Sequence, residues 1–343
     1  MAEWNLLITG FRRIRIIWHC LYLYRDIFYK TDYEENIGKY IWKRTKRLLI
    51  PAYLWNIFYG GMVAFLGLFG FTIGAKPDLY NLFVMPFVDG EAFQYNLGSW
   101  FVYPLFLVCI INVLFRKFLK LIHLDNEFIV LIVYLAIGMI GINTAIGNPT
   151  AINGIVKLLV RTMFFLPCYE FGRFYKAVLE KKDTLNNVAY FAIIFAVQLI
   201  LLTFCKDLEY TPSSFTKFNN GFIIPYISSI TAIAFWLRVS RLLVPAIGNS
   251  KLVRLIADNT YGIMVNQLVG FMCLKFVFYG LSRITSGSLF GDFNVASFKS
   301  SIWYYCLPNG LQQWAFVYLI FGLLVPILIS IILNKICHIA HSS

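Results

Sequence analysis

Two basic residues lie within an otherwise apolar stretch of the sequence. Lys157 and Arg161 are four residues apart in residues 154–172, and this spacing puts them on one face if the stretch is helical. Because like charges at this spacing repel each other, the pair indicates a buried anionic partner or ligand. The alternative is that the helix begins later and that both residues lie near a membrane surface.

Two side-chain amides and one tryptophan are also candidates for ligand binding. Asn266 and Gln267 are consecutive in residues 260–280, so their side chains point in different directions. One amide could bond a neighbouring helix, which is common in membranes, while the other faces a cavity. Trp100 begins another apolar stretch, where an isolated tryptophan is typical of the aromatic belt at a membrane surface.

The acidic and histidine residues supply no obvious catalytic group. We expect Glu170, near the end of residues 154–172, to pair with Arg173, because charges at the ends of spans are usually solvated. The chain has four histidines, and none lies in a clean apolar span: His19, His123, His338 and His341. The seven cysteines form no CxxC motif, so we expect no metal site. The general base is therefore not assigned.

The elements that must position these side chains are strongly apolar. Of the 343 residues, 59% are hydrophobic and 14% are charged, and the mean hydropathy is +0.69. Soluble domains are about 45–50% apolar and about 25% charged, so a soluble enzyme is excluded. The net charge of +13 is assigned to cytoplasmic loops, where Lys and Arg collect, and not to nucleic-acid binding.

The hydropathy pattern predicts an all-α, polytopic integral membrane helical bundle of about eight transmembrane helices. The predicted spans are 49–74, 98–115, 127–147, 154–172, 187–205, 221–237, 260–280 and 313–334. The segments before successive spans carry ten, one, three, no, four, two and four Lys plus Arg residues for the first seven spans. By the positive-inside rule this alternation predicts that both termini are cytoplasmic.

The N-terminal part does not form a simple span. Residues 5–29 are fairly apolar but contain Arg12, Arg13 and Arg15, which are costly in a membrane. Residues 33–48 mix Tyr and Trp with basic residues, which is typical of an interfacial helix. We therefore predict a basic cytoplasmic or interfacial segment over 1–48, a transmembrane domain over 49–336 and a short cytoplasmic tail over 337–343.

Four segments, in order, resemble the acyltransferase-3 family. They are IWKRTKRLLIPAYLWN (41–56), NLGSWFVYPLFLV (96–108), RTMFFLPCYEFGRFYK (161–176) and IGNSKLVRLIADNTYGIMVNQLVGF (247–271). The family consists of integral membrane enzymes that acylate, usually acetylate, hydroxyls of lipid-linked or surface polysaccharides. The resemblance implies acyl-CoA (acetyl-CoA) as co-substrate, no bound cofactor, the lipid bilayer as surroundings and a bacterial-type inner (plasma) membrane location.

The resemblance also suggests roles for the candidate residues. Lys157 and Arg161 would hold the phosphates of acyl-CoA or polarise its thioester carbonyl. Trp100, Asn266 and Gln267 would contact substrate, since Asn266 and Gln267 stand where some relatives carry a histidine. The family begins with an arginine-rich helix bearing an essential histidine. This chain has two fewer spans and His19 lacks the matching surroundings, so we expect a truncated or frame-altered start. A start that lacks these helices would leave the protein inactive.

Two other functions fit a polytopic chain. A transporter or flippase of a lipid-linked saccharide would line its path with intramembrane polar residues, although the sequence shows no inverted repeat. A polysaccharide polymerase would carry several arginines in a large outer loop. The largest outer loop predicted here, about 281–312, contains only Arg283 and Lys299 as basic residues, which disfavours that function.

Overall fold

A computed structural model describes residues 33–88, 93–205, 208–285 and 293–342, with side chains described up to residue 336. Within these ranges the chain is helical and forms no β-strand. The α-helices are α1 (Ile37–Arg44), α2 (Ile50–Gly67), α3 (Met85–Val88), α4 (Val102–Leu121), α5 (Glu127–Gly147), α6 (Gly154–Phe174), α7 (Asn187–Phe204), α8 (Ile224–Ile247), α9 (Lys251–Asp258), α10 (Thr260–Ile284), α11 (Val295–Ser300) and α12 (Trp314–Ser342).

Seven of the described helical segments are long and apolar enough to cross a membrane. They are Ile37–Gly67, Gln94–Leu121, Glu127–Gly147, Asn187–Phe204, Ile224–Ile247, Thr260–Ile284 and Trp314–Ile336. The remaining predicted span corresponds to α6, which has 21 residues but carries four charged side chains. These spans confirm a polytopic all-α membrane bundle.

The predicted interfacial helix and the first span form one continuous helix. After α1, the π-helical turn Thr45–Leu49 leads directly into α2. Pro51 lies one residue after the start of α2 and has no N–H for the helical ladder. A π turn already changes the hydrogen-bond register, so placing it just before Pro51 lets the helix continue.

The described helices group into two compact units, and the first contains the described residues up to Ile50 together with Phe101–Val244. In this unit α6 packs against both α4 and α5. Phe164 of α6 is fully buried and contacts the rings of Phe215, Phe218 and Tyr226. The segment between α7 and α8 therefore folds onto α6 through aromatic contacts.

The second unit contains Pro51–Trp100 and the described residues from Pro245 onward. Its core is aromatic and aliphatic and includes Tyr59, Tyr95, Val265 and Phe298. Helices α10 and α12 pack closely, and a β-carbon at Gly270 would overlap the Phe321 carbonyl oxygen. The predicted boundaries at residues 48 and 337 remain predictions, and the division into two units was not predicted.

Candidate functional site

Helix α6 holds both predicted basic residues, and the structure separates their environments. Lys157 lies in the first turn of α6 and is half-buried, as expected for a residue near a helix end. Arg161, one turn later, is fully buried and donates a hydrogen bond from Nη2 to the Ser213 carbonyl oxygen. The near-surface alternative therefore suits Lys157, whereas Arg161 points into the first unit.

The segment that carries Ser213 is held firmly against α6. Tyr210 is buried and its hydroxyl lies 2.9 Å from Ser229 Oγ of α8. Burial raises the pKa of the Tyr210 hydroxyl to about 12, because an ionised phenolate would lose its hydration. The carbonyl that accepts from Arg161 is thus presented by an ordered loop.

Four charged side chains from three helices form an ion cluster, defined here as Arg116, Glu127, Glu170 and Arg173. Arg116 Nη2 lies 2.6 Å from Glu170 Oε2 and 2.9 Å from Glu127 Oε2. Arg173 Nε lies 2.9 Å from Glu127 Oε1. We expected Glu170 to pair with Arg173 at a solvated helix end. The expected solvated position was wrong, because Glu170 is fully buried and forms a salt bridge with Arg116.

The ion cluster is suited to holding helices and unsuited to binding an anion. Its carboxylates match its two guanidinium groups in number, and Asp125 adds a further carboxylate 3.7 Å from Arg116. Arg116 also donates to Asn112 Oδ1 within α4. An incoming phosphate would have to displace these carboxylates, which costs several kcal/mol when a buried pair is broken.

Arg44 occupies a different environment. Its guanidinium carbon lies 4.7 Å from the centre of the Tyr40 ring. Cys109 and Tyr169 are close enough to interact electrostatically with the guanidinium. These four residues are called the Arg44 site. Arg44 makes no salt bridge to any described carboxylate, and its buried Nε has no hydrogen-bond partner among the described residues.

Exposed cations surround the Arg44 site on α1 and on the following π turn. They are Lys39, Lys43, Lys46 and Arg47. Lys46 Nζ lies 5.0 Å from the centre of the Trp42 ring, and Trp42 is 56% exposed. Such pairs are typical of a membrane surface, where the cation reaches the headgroups and the ring stays at the interface.

In the second unit, the structure divides the two consecutive amides. Asn266 is fully buried, accepts a hydrogen bond from the Tyr59 hydroxyl and donates to the Gly262 carbonyl oxygen at 2.9 Å. It therefore joins α2 to α10. Gln267 is half-buried, and its side chain makes no hydrogen bond to any described residue. Asn266 fits the helix-linking alternative, whereas the cavity predicted for the other amide stays a prediction for Gln267.

Trp100 is buried, with 2% of its surface exposed, unlike the exposed belt position that its sequence context suggested. It lies in the 3₁₀ segment Gln94–Phe101. A β-carbon at Gly98 in this segment would overlap the Met264 carbonyl oxygen of α10. The glycine thus allows the segment to contact the α10 backbone next to Asn266.

Lys275 is a buried cation of α10. Its Nζ donates to the Ile302 carbonyl oxygen at 2.6 Å and lies 4.7 Å from the centre of the Tyr305 ring. In the part of the chain that the structure describes, no carboxylate pairs with it. Its two contacts fix the segment after α11 to α10.

The Arg44 site and the Tyr59 to Asn266 bond were missed by sequence reasoning. Two features of the sequence could have indicated the Arg44 site. Tyr40 and Arg44 are four residues apart, and Arg44 lies within segment 41–56, one of the four segments that carry the family resemblance. His19, Arg12, Arg13 and Arg15 lie outside the described residues. Among the described residues, no group of three His, Cys, Asp or Glu side chains could hold a metal ion.

Comparison with known proteins gives one result. The acyltransferase-3 family model, described as an acyltransferase domain, matches residues 27–335. No curated protein and no solved structure matches the chain. The match includes the Arg44 site, the ion cluster, both α6 cations and the amides of α10.

Proposed function

The chain belongs to the acyltransferase-3 family, and from this premise we propose that it transfers an acetyl group from acetyl-CoA to a hydroxyl of an exopolysaccharide or lipid-linked sugar. Its seven candidate spans and its family make it a multi-pass membrane acyltransferase. The donor, the acyl group, the saccharide acceptor and a bacterial-type inner membrane with cytoplasmic termini are the proposed part.

The Arg44 site is the observation that carries the proposal. A half-buried guanidinium without a carboxylate partner is costly unless a ligand compensates it. Its unbonded Nε can donate to a phosphate oxygen of CoA, and a charge-assisted bond of this kind is stronger than a neutral one. The exposed Lys39, Lys43, Lys46 and Arg47 would raise the local concentration of a polyanionic donor.

Arg161 is placed to act further along the donor. Tyr169, beside Arg44, and Arg161 are eight residues apart on α6, which is about 12 Å along a helix. The pantetheine arm of CoA can cover this distance. With its phosphates at Arg44, the thioester would reach the Arg161 end, where a guanidinium stabilises the negative charge that develops on the carbonyl oxygen. Lys157 adds positive charge one turn beyond.

The reaction needs three events at the thioester. The acceptor hydroxyl loses its proton to a general base, its oxygen attacks the carbonyl carbon, and the CoA thiolate leaves. Arg161 and Lys157 favour the second event by stabilising the tetrahedral oxyanion. Trp100, Asn266 and Gln267 are proposed to contact the acceptor. The general base is not assigned to a described residue.

Acetyl transfer is tested with the full chain in lipid nanodiscs. Labelled acetyl-CoA is supplied with isolated surface polysaccharide or glycolipid, and free CoA and labelled saccharide are measured together. The proposal predicts equal amounts of both products. CoA release without labelled saccharide would contradict the saccharide acceptor, and no CoA release with any acceptor would contradict the donor.

A further inference from the structure

Polar groups without partners collect in one part of the second unit. Tyr95 and Asn96 are 1% and 3% exposed, and neither Tyr95 Oη nor Asn96 Oδ1 has a hydrogen-bond partner among the described residues. The buried Oη of Tyr261 has none within the described ranges either. The Gln267 side chain, half-buried in a membrane-spanning helix, is likewise without a described partner.

Other polar groups of this unit are satisfied, so the pattern is local. The Tyr59 hydroxyl donates to Asn266, and the Tyr318 hydroxyl donates to the Cys306 carbonyl oxygen at 3.3 Å. Ser99 Oγ donates to the Asn96 carbonyl oxygen at 2.9 Å. Buried polar groups are nearly always bonded, because leaving them unbonded away from water is unfavourable. The unbonded groups therefore point to a bound polar ligand.

The unbonded groups lie where the 3₁₀ segment Gln94–Phe101 meets the first half of α10. Tyr95 belongs to the same core as Tyr59 and Val265, and Tyr261 packs against that core. Gly98 brings the segment against the α10 backbone at Met264. Asn96 has non-helical backbone angles (φ −103°, ψ 20°), so the segment is kinked at this residue.

We propose that Tyr95, Asn96, Tyr261 and Gln267 form the site for a neutral sugar ring of the acceptor. Phenol hydroxyls and a primary amide can both donate and accept, and Asn96 Oδ1 accepts, which matches the alternating capacity of sugar hydroxyls. None of the four groups is charged, so the site recognises hydroxyls and not a carboxylate or phosphate. This inference rests on the proposed function, because it names the substrate class of that reaction.

The first test uses isosteric variants with matched controls. Tyr95→Phe and Tyr261→Phe remove hydroxyls that have no protein partner, so the melting temperature of the ligand-free protein should stay unchanged or rise. Tyr59→Phe and Tyr318→Phe remove bonded hydroxyls and should lower it. A lowered melting temperature in the first pair, equal to that in the controls, would overturn the proposal.

The second test measures acceptor binding directly. Hexyl glycosides of glucose, galactose, mannose and N-acetylglucosamine, below their micelle-forming concentrations, are added to the protein in nanodiscs. At least one should raise the melting temperature of wild type, and Tyr95→Phe and Asn96→Ala should each weaken its binding about tenfold, the effect of one hydrogen bond. No shift with any glycoside, or unchanged affinity in both variants, would overturn the site.

The binding test separates this site from the proposed reaction. Binding of a glycoside without any transfer from acetyl-CoA would leave the site standing and contradict the proposed function. Transfer that keeps the wild-type acceptor KM in Tyr95→Phe and Asn96→Ala would contradict the site alone. Methyl glycosides serve to identify the source, since equal affinity without the hexyl chain indicates a polymer acceptor, and a need for the chain indicates a lipid-linked one.

Discussion

Arg116 and Glu170 form a salt bridge whose side chains are both fully buried, with 2.6 Å between Nη2 and Oε2. The pair joins α4 to α6, and Glu127 extends it to α5. Removing Glu170 leaves Arg116 and Arg173 to share Glu127, so a positive charge is in excess among buried groups. Glu170→Gln should therefore lower the free energy of unfolding by about 3–5 kcal/mol, measured by denaturation in mild detergent.

The double variant Arg116→Met with Glu170→Met distinguishes charge from packing. Replacing both members of a buried pair by apolar residues is often neutral or stabilising, so the double variant should recover most of the loss. The exposed pair Lys217 and Glu209, with 2.7 Å between Nζ and Oε1, is the control. Lys217→Gln should cost less than about 1 kcal/mol. Equal losses at both pairs would contradict a special role for burial.

The partner of Glu170 shows what the sequence could not predict. Arg173 is three residues from Glu170, and this spacing predicts a salt bridge within one helix. Arg116 is 54 positions earlier in the chain than Glu170. Only the packing of α4 against α6 brings them together. The bond from Tyr59 to Asn266 could not be predicted for the same reason, because its two residues lie on α2 and α10. Trp100 was predicted to be an exposed belt residue because its packing partners are likewise not adjacent in sequence.

Helix boundaries were more predictable, because local signals fix them. The span predicted at 127–147 coincides with Glu127–Gly147, where Asn126 caps the start by accepting from the Phe128 N–H. The first span was less well predicted, since residues 33–48 were predicted to form a separate interfacial helix. The structure joins the two through the π turn Thr45–Leu49, and hydropathy carries no signal for such a turn.

Gly98 should be required for the close contact between the 3₁₀ segment and α10. Gly98→Ala places a β-carbon against the Met264 carbonyl oxygen, a backbone atom that cannot rotate away. We expect a loss of about 1–3 kcal/mol in unfolding free energy, as for other overpacked positions.

Gly61→Ala is the control, because nothing lies within 4 Å of the position that a β-carbon would take at Gly61. It should stabilise α2 by about 0.5–1 kcal/mol. A stable Gly98→Ala protein would show that the two segments are not packed as described.

Arg44 should control the affinity for the acyl donor. Arg44→Gln removes a charge-assisted hydrogen bond to a phosphate, and we expect the KM for acetyl-CoA to rise about tenfold or more. Arg47→Gln is the matched control, because Arg47 is exposed on the same segment and acts only through long-range attraction. Its effect should be less than about threefold and should vanish at high salt. Equal effects of the two variants would argue that only the overall charge of the segment matters.

Arg161 and Lys157 should differ in the kinetic constant that they control. Arg161 is fully buried at the end of α6 that the thioester would reach, so Arg161→Gln should lower kcat about 100-fold with little change in the KM for acetyl-CoA, the pattern for charge that develops only in the transition state. Lys157, half-buried in the first turn, should change kcat less than about fivefold when replaced by Gln.

Because Arg161 also binds the Ser213 carbonyl oxygen, the Arg161→Gln variant could lose activity merely by loosening the loop. Arg161→Lys resolves this, since lysine can still donate to that carbonyl but lacks the planar fork with which a guanidinium can hold the carbonyl and an oxyanion together. A Lys variant that is as stable as wild type and as inactive as Gln supports the catalytic role. A fully active Lys variant would instead assign Arg161 to holding the loop.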